Sequence, residues 1–114
     1  MRYAVIGDVH GNLEALQAVL EDVDEQGVDE VLCVGDVVGY GADPEACLEL
    51  ITQRCTVVVS GNHDFAASGQ GSLEYFNPYA RRALEWTAEQ LSSQAQQYLS
   101  HLPLIAQMNG FSLV

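Results

Sequence analysis

Three short apolar runs, residues 3–7, 30–35 and 55–60, set the frame of this sequence. Each is too short for a helix, rich in β-branched residues and closed by Gly or Ser-Gly, the pattern of a buried strand. Between the first two, Leu13, Leu16, Leu20 and Val23 recur at helical spacing, with Glu14, Gln17, Glu21 and Asp24 on the other faces. Asn12 can cap the start of that helix and Gly27 its end. A second helix is predicted from Asp43, as N-cap, to about Thr52, with Pro44 at the first helical position, where a missing N–H costs nothing. The order strand, helix, strand, helix, strand predicts an α/β fold with a parallel βαβαβ core and right-handed crossovers.

After Asp64 the pattern changes. Residues 66–72 are small and Gly/Ser-containing, which predicts a surface loop. Asn77-Pro78 opens a helix on which Ala80, Leu84, Thr87 and Leu91 share a face, with Trp86 on its apolar side and Arg81 one turn from Glu85. Ser93 and Gln96 have capping-box spacing before a further helix to about His101, and residues 111–114 look like a strand that has just begun.

Composition narrows the function classes. A chain of 114 residues with 48% hydrophobic residues is expected to build one core. Sixteen acidic residues against four arginines give a net charge of −12, which argues against extended nucleic-acid binding, since phosphate contacts require a basic footprint. The apolar run at the N-terminus is too short for a signal peptide or a spanning helix, so a cytoplasmic protein with no membrane partner is expected. Cys33, Cys47 and Cys55 form an odd set without a Cys-x-x-Cys pair, which suits small buried residues in a reducing compartment.

Each apolar run is followed at once by side chains that can bind a metal: Asp8 and His10, then Asp36, then Asn62, His63 and Asp64. Successive clusters are separated by about 30 residues, the length of one βα unit. Parallel strands so spaced deliver their C-terminal ends to one edge, where open α/β sheets place their ligands. Two carboxylates, two imidazoles and a carboxamide, without thiolate, suit manganese, iron, zinc or a similar divalent ion. Alternation along an extended Asp8-Val9-His10 would put two ligands on one side. Asp8 beside Asp36 without a cation would be costly. The competing reading makes the same residues turn and cap formers.

Asp8-Val9-His10, Gly35-Asp36 and Gly61-Asn62-His63-Asp64, in this order and spacing, resemble the calcineurin-like metallophosphoesterase family. The resemblance implies a four-layer α/β/β/α sandwich, of which residues 1–114 are the N-terminal half of a single domain. It implies two divalent ions, with Asp8 and His10 on the first, Asp36 bridging and Asn62 on the second. It also implies His63 beside the leaving-group oxygen as catalytic acid or positive charge. Asp64 is expected to be a packing residue pointing away from His63. Gly39-Tyr40-Gly41 stands where the protein-phosphatase branch has Asp-Arg-Gly, which points to the bacterial and archaeal phosphodiesterase-like branch. Tyr40 and Arg81 are candidates to touch a small phosphate-ester substrate. The family's later Gly-His-x-His segment is missing, and His101, on a predicted helix, takes no family role. The expected function is therefore hydrolysis of a phosphomono- or phosphodiester, this chain being incomplete. The alternatives are a non-catalytic interaction module of the same fold, as in the retromer subunit, or an inactive fragment. Surfaces left by missing strands favour self-association.

Overall fold

A computed structural model describes residues 1–114. The chain runs β1 (Tyr3–Ile6), α1 (Leu13–Gln26), β2 (Glu30–Cys33), α2 (Pro44–Arg54), β3 (Val57–Val58), α3 (Asn62–Ala67), α4 (Pro78–Gln90), α5 (Ser93–Ser100), β4 (Ala106–Gln107) and β5 (Ser112–Leu113). The first three strands form a parallel sheet in the order β1-β2-β3, with Ile6 opposite Cys33 and Cys33 opposite Val58. The predicted α/β class and βαβαβ core are therefore present.

Period-two alternation sorts the strand side chains between two clusters. Ile6, Cys33 and Val58 face the helices and join Leu16, Leu20, Ile51, Leu84 and Leu99 in the main core. Leu32 and Val59 face the other way, where Leu113, Ala106 and Met108 of a β4–β5 hairpin cover them and the Tyr3 ring meets Phe111 edge-on. Cys33 and Cys47 are buried free thiols, and burial pushes Cys33 up to about 12. No helix is long and apolar enough to cross a membrane.

Asn12 and Gly27 cap α1 as expected: the Asn12 side chain accepts the Ala15 N–H, and Gly27 turns left-handed at φ 62°. Asp43 precedes α2 without a side-chain cap bond. Asn77 caps α4 by accepting the Ala80 N–H.

Several expectations need correction. Residues 62–67 are a short helix, so Ala66 and Ala67 are buried and not loop. Six residues are too few for periodicity to show, and the helix opens on a glycine. The cap of α5 is Ser92, whose hydroxyl accepts the Ala95 N–H; Gln96 donates instead to the Ala88 carbonyl. Trp86 is 41% exposed, because Leu84 and Thr87 take the inward positions of α4. Arg81 makes no ion pair with Glu85 and donates to the carbonyls of Leu73 and Glu74. The strand at the C-terminus is paired, antiparallel to β4, which went unpredicted because Ala106–Gln107 has no apolar pattern.

Candidate metal centre

The loops after β1 and β2 are laced into one rim by backbone hydrogen bonds. Asp8 N–H donates to Gly35 O at 3.1 Å, His10 N–H to Asp36 O at 2.9 Å and Gly11 N–H to Val37 O at 2.8 Å. Gly41 N–H returns to His10 O at 2.8 Å. This lacing, and not an extended alternation, brings Asp8 and His10 together. Both are left-handed, at φ 54° and 48°, as are Asp36 at 54° and Tyr40 at 65°. These four are all the non-glycine residues of the chain at positive φ. Each such conformation costs roughly 1–2 kcal/mol, and strain of this kind gathers where a site is being shaped.

Asp8, His10 and Asp36 each offer one ligand atom, and these atoms lie within 4.8 Å of one another. Ligand atoms about 2.1 Å from a common ion stand about 3–4.2 Å apart, so small side-chain adjustments suffice. His10 is already oriented for the task. Its Nδ1 lies 3.0 Å from the Val38 carbonyl, which can only accept, so the proton belongs on Nδ1. The Nε2 lone pair is left free, 4.0 Å from Asp8 Oδ1. A backbone carbonyl fixing the tautomer in this way is usual for a metal-binding imidazole. The trio can hold a divalent cation.

Asp36 also reaches the third loop, its Oδ1 accepting the His63 N–H at 2.9 Å. Gly61 permits that approach, since a Cβ there would stand 2.2 Å from Asp36 Oδ1. Asn62 begins α3, exposed, on the wall of a neighbouring cavity with Phe65 and Phe76. His63 is buried beneath the rim, its ring 4.7 Å from His10, 5.0 Å from Tyr40 and 5.1 Å from Phe76. Burial holds its imidazolium below the ordinary histidine range, with Asp36 acting in the opposite direction. Tyr40 lines the cleft that contains Asp8 and His10. Arg81 has its guanidinium committed to the carbonyls described above.

The residue that sequence reasoning undervalued is Asp64. It is fully buried, and its carboxylate accepts N–H bonds from Asp36 at 2.7 Å, Val37 at 3.0 Å, Val38 at 3.2 Å and Gly61 at 3.0 Å. It thereby holds the second loop against the third. Burial pushes its carboxyl up to about 6, against the downward pull of these donors. Asp64 points away from the His63 ring because both lie on the first turn of a helix, where successive side chains diverge by about 100°.

A parallel sheet whose strand ends carry this acidic and imidazole cluster can hold a divalent cation at its C-terminal edge. The chain belongs to the calcineurin-like phosphoesterase family, whose pattern matches residues 1–114. It is 44% identical to a metallophosphoesterase from Sphaerobacter thermophilus, superposing with a TM-score of 0.82 over 98% of this chain and 45% of that one. An uncharacterized protein of Methanocaldococcus jannaschii is 46% identical over 106 residues, 93% of this chain and 44% of its own length. Serine/threonine-protein phosphatase 1 of Salmonella typhimurium is 35% identical over 80 residues, 64% of this chain and 37% of that protein. The chain thus spans less than half the length of these relatives.

Proposed function

We propose that the chain is the N-terminal half of a single metallophosphoesterase domain that hydrolyses a small phosphomono- or phosphodiester. The observation that carries this reading is the convergence of Asp8, His10 and Asp36 within 4.8 Å, on backbone strained into left-handed conformations. In this reading Asp8, His10 and Asp36 hold a first divalent ion, and Asp36 shares a second with Asn62. Manganese, iron or zinc all fit such donors. When bound, such ions supply positive charge for the phosphate oxygens and acidify a water for attack.

The protein's own residues then have distinct tasks. Asp36 divides its carboxylate between the ion site and the His63 N–H, which ties the position of the acid group to that of the metal. His63 supplies a proton or positive charge to the leaving oxygen. Asp64 keeps the Asp36 loop in register with α3. Gly39-Tyr40-Gly41 brings no cation to the rim, which favours small esters over a phosphoprotein held by an arginine. The buried free thiols of Cys33 and Cys47 suit a reducing compartment such as the cytoplasm.

The test is turnover of bis-p-nitrophenyl phosphate and p-nitrophenyl phosphate by the full open reading frame with manganese, iron or zinc added. Asp36→Asn is expected to lower turnover by at least about a thousandfold, since it removes a shared ligand. Absence of turnover with all three metals would sink the enzymatic reading in favour of a binding module.

A further inference from the structure

We propose that Tyr40 and Phe76 are positioning residues for His63, clamping its imidazole by ring packing where a hydrogen bond would ordinarily hold it; this rests on the phosphoesterase reading above. His63 Nδ1 is buried and has no hydrogen-bond partner. Gly39 occupies that side of the ring: a Cβ on it would stand 2.6 Å from Nδ1 and 3.2 Å from His63 Cβ and Cγ. The backbone is therefore already against the imidazole, and position 39 offers no side chain to bind Nδ1.

A histidine without a polar anchor is restrained poorly about its second side-chain torsion, which is broad and nearly two-fold. Flat neighbours can supply the restraint. Tyr40 lies 5.0 Å from the His63 ring at 46°, and Phe76 lies 5.1 Å from it at 69°. Both separations are in the range of paired aromatic rings. The two come from separate segments, Tyr40 from the β2–α2 loop and Phe76 from the segment before α4.

Burial does not explain Tyr40. It is 53% exposed and yet held at φ 65°, a conformation unfavourable for a bulky residue, with its ring also 5.2 Å from His10. Phe76 is fixed more conventionally. It packs against the main core, and the Arg81 guanidinium holds the carbonyls of Leu73 and Glu74 in the same segment. Arg81 thus anchors the backbone of the segment that carries Phe76.

The test uses the full open reading frame with manganese. Tyr40→Ala and Phe76→Ala are each expected to lower kcat about tenfold with KM within about twofold, a part of what a positioned acid contributes. In a His63→Ala background neither is expected to lower kcat further, because residues acting through one group are not additive. Tyr40→Phe, which keeps the ring, is expected to restore kcat to within about twofold of the parent. Bound manganese is expected to be unchanged in Tyr40→Ala. Independently of turnover, and with diamagnetic zinc in place of manganese, the His63 ring-proton resonances, assigned by their loss in His63→Ala, are expected to move toward free-histidine positions in Tyr40→Ala. A further loss of kcat in the His63→Ala background, an effect confined to KM, a fall in bound manganese or unmoved ring protons would each overturn the clamp. Tyr40 is half-exposed, so its variant tests the clamp even if Phe76→Ala fails to fold. If the parent protein shows no turnover, the phosphoesterase reading fails and the resonances alone decide the clamp.

Discussion

At the scale of single residues, Asp64 and Gly61 show how little of the site's support is carried by the ligands themselves. Each Asp64 oxygen accepts two backbone N–H groups, Oδ1 from Val37 and Val38 and Oδ2 from Asp36 and Gly61. Asp64→Asn turns one oxygen into a donor, so two buried N–H groups lose their acceptor at about 1–3 kcal/mol each. Relief of the buried charge offsets part of that. A loss of about 2–4 kcal/mol is expected, read as a fall in the urea midpoint with unchanged slope. Gly61→Ala acts on the ligand directly. The new methyl must displace Asp36, and a manganese affinity lowered at least about tenfold is expected by calorimetry, with about 1–3 kcal/mol of destabilisation from overpacking. An unchanged affinity would separate Asp36 from the ion site. Asp8, His10, Asp36 and Asn62 were legible as candidates because each follows an apolar run. The backbone that joins the first three was not. Left-handed φ at Asp8, His10 and Asp36 is imposed by hydrogen bonds between loops distant in sequence, which no local propensity records.

At the scale of elements, the long helices were legible and the short pieces were not. Asn12 with Gly27 marks α1 and Asn77-Pro78 marks α4, because caps and periodicity agree there. The six-residue α3 and the two-residue β4 have no periodicity to read, and tertiary contacts decide them. One contact between elements can be tested by pH. Glu45, in the first turn of α2, accepts the N–H of Ser92, the residue that caps α5. The Ser92 hydroxyl and N–H hold its carboxyl below the ordinary glutamate value of 4.5. A carboxyl depressed on folding adds stability above its unfolded pKa and loses it as pH falls through the folded one. Glu45→Gln is therefore expected to cost about 0.5 kcal/mol at pH 7, a small value because the group is exposed and screened. The gap between variant and parent should narrow as pH falls below the ordinary value of 4.5 and toward the lower folded one. Urea midpoints at pH 7 and pH 3.5 check this, and a gap independent of pH would assign the effect to packing.

At the scale of the molecule, the two faces of the parallel sheet are unequally finished. Helices bury Ile6, Cys33 and Val58, whereas the hairpin reaches only part of the other face. Val5 is left 54% exposed on β1, an edge strand with β2 as its one partner, and Leu104, Ile105 and Val114 are more than 60% exposed. An open edge beside apolar side chains is a template for pairing. The net charge of −12 opposes association, but salt screens it beyond a Debye length of about 8 Å at physiological ionic strength, while apolar contact persists. Residues 1–114 produced alone are thus expected to self-associate in the micromolar range, more strongly as sodium chloride is raised. Sedimentation velocity would show this as a sedimentation coefficient that rises with protein concentration. Val5→Lys is expected to shift the population toward monomer. Because it also reduces the negative charge, electrostatics alone would move it the other way, so the loss would belong to the apolar face. Val19→Lys, on α1 and 43% exposed, makes the same chemical change away from the open edge and should leave association unchanged. A concentration-independent monomer, or equal effects of the two lysines, would show that the unfinished face is inert in solution.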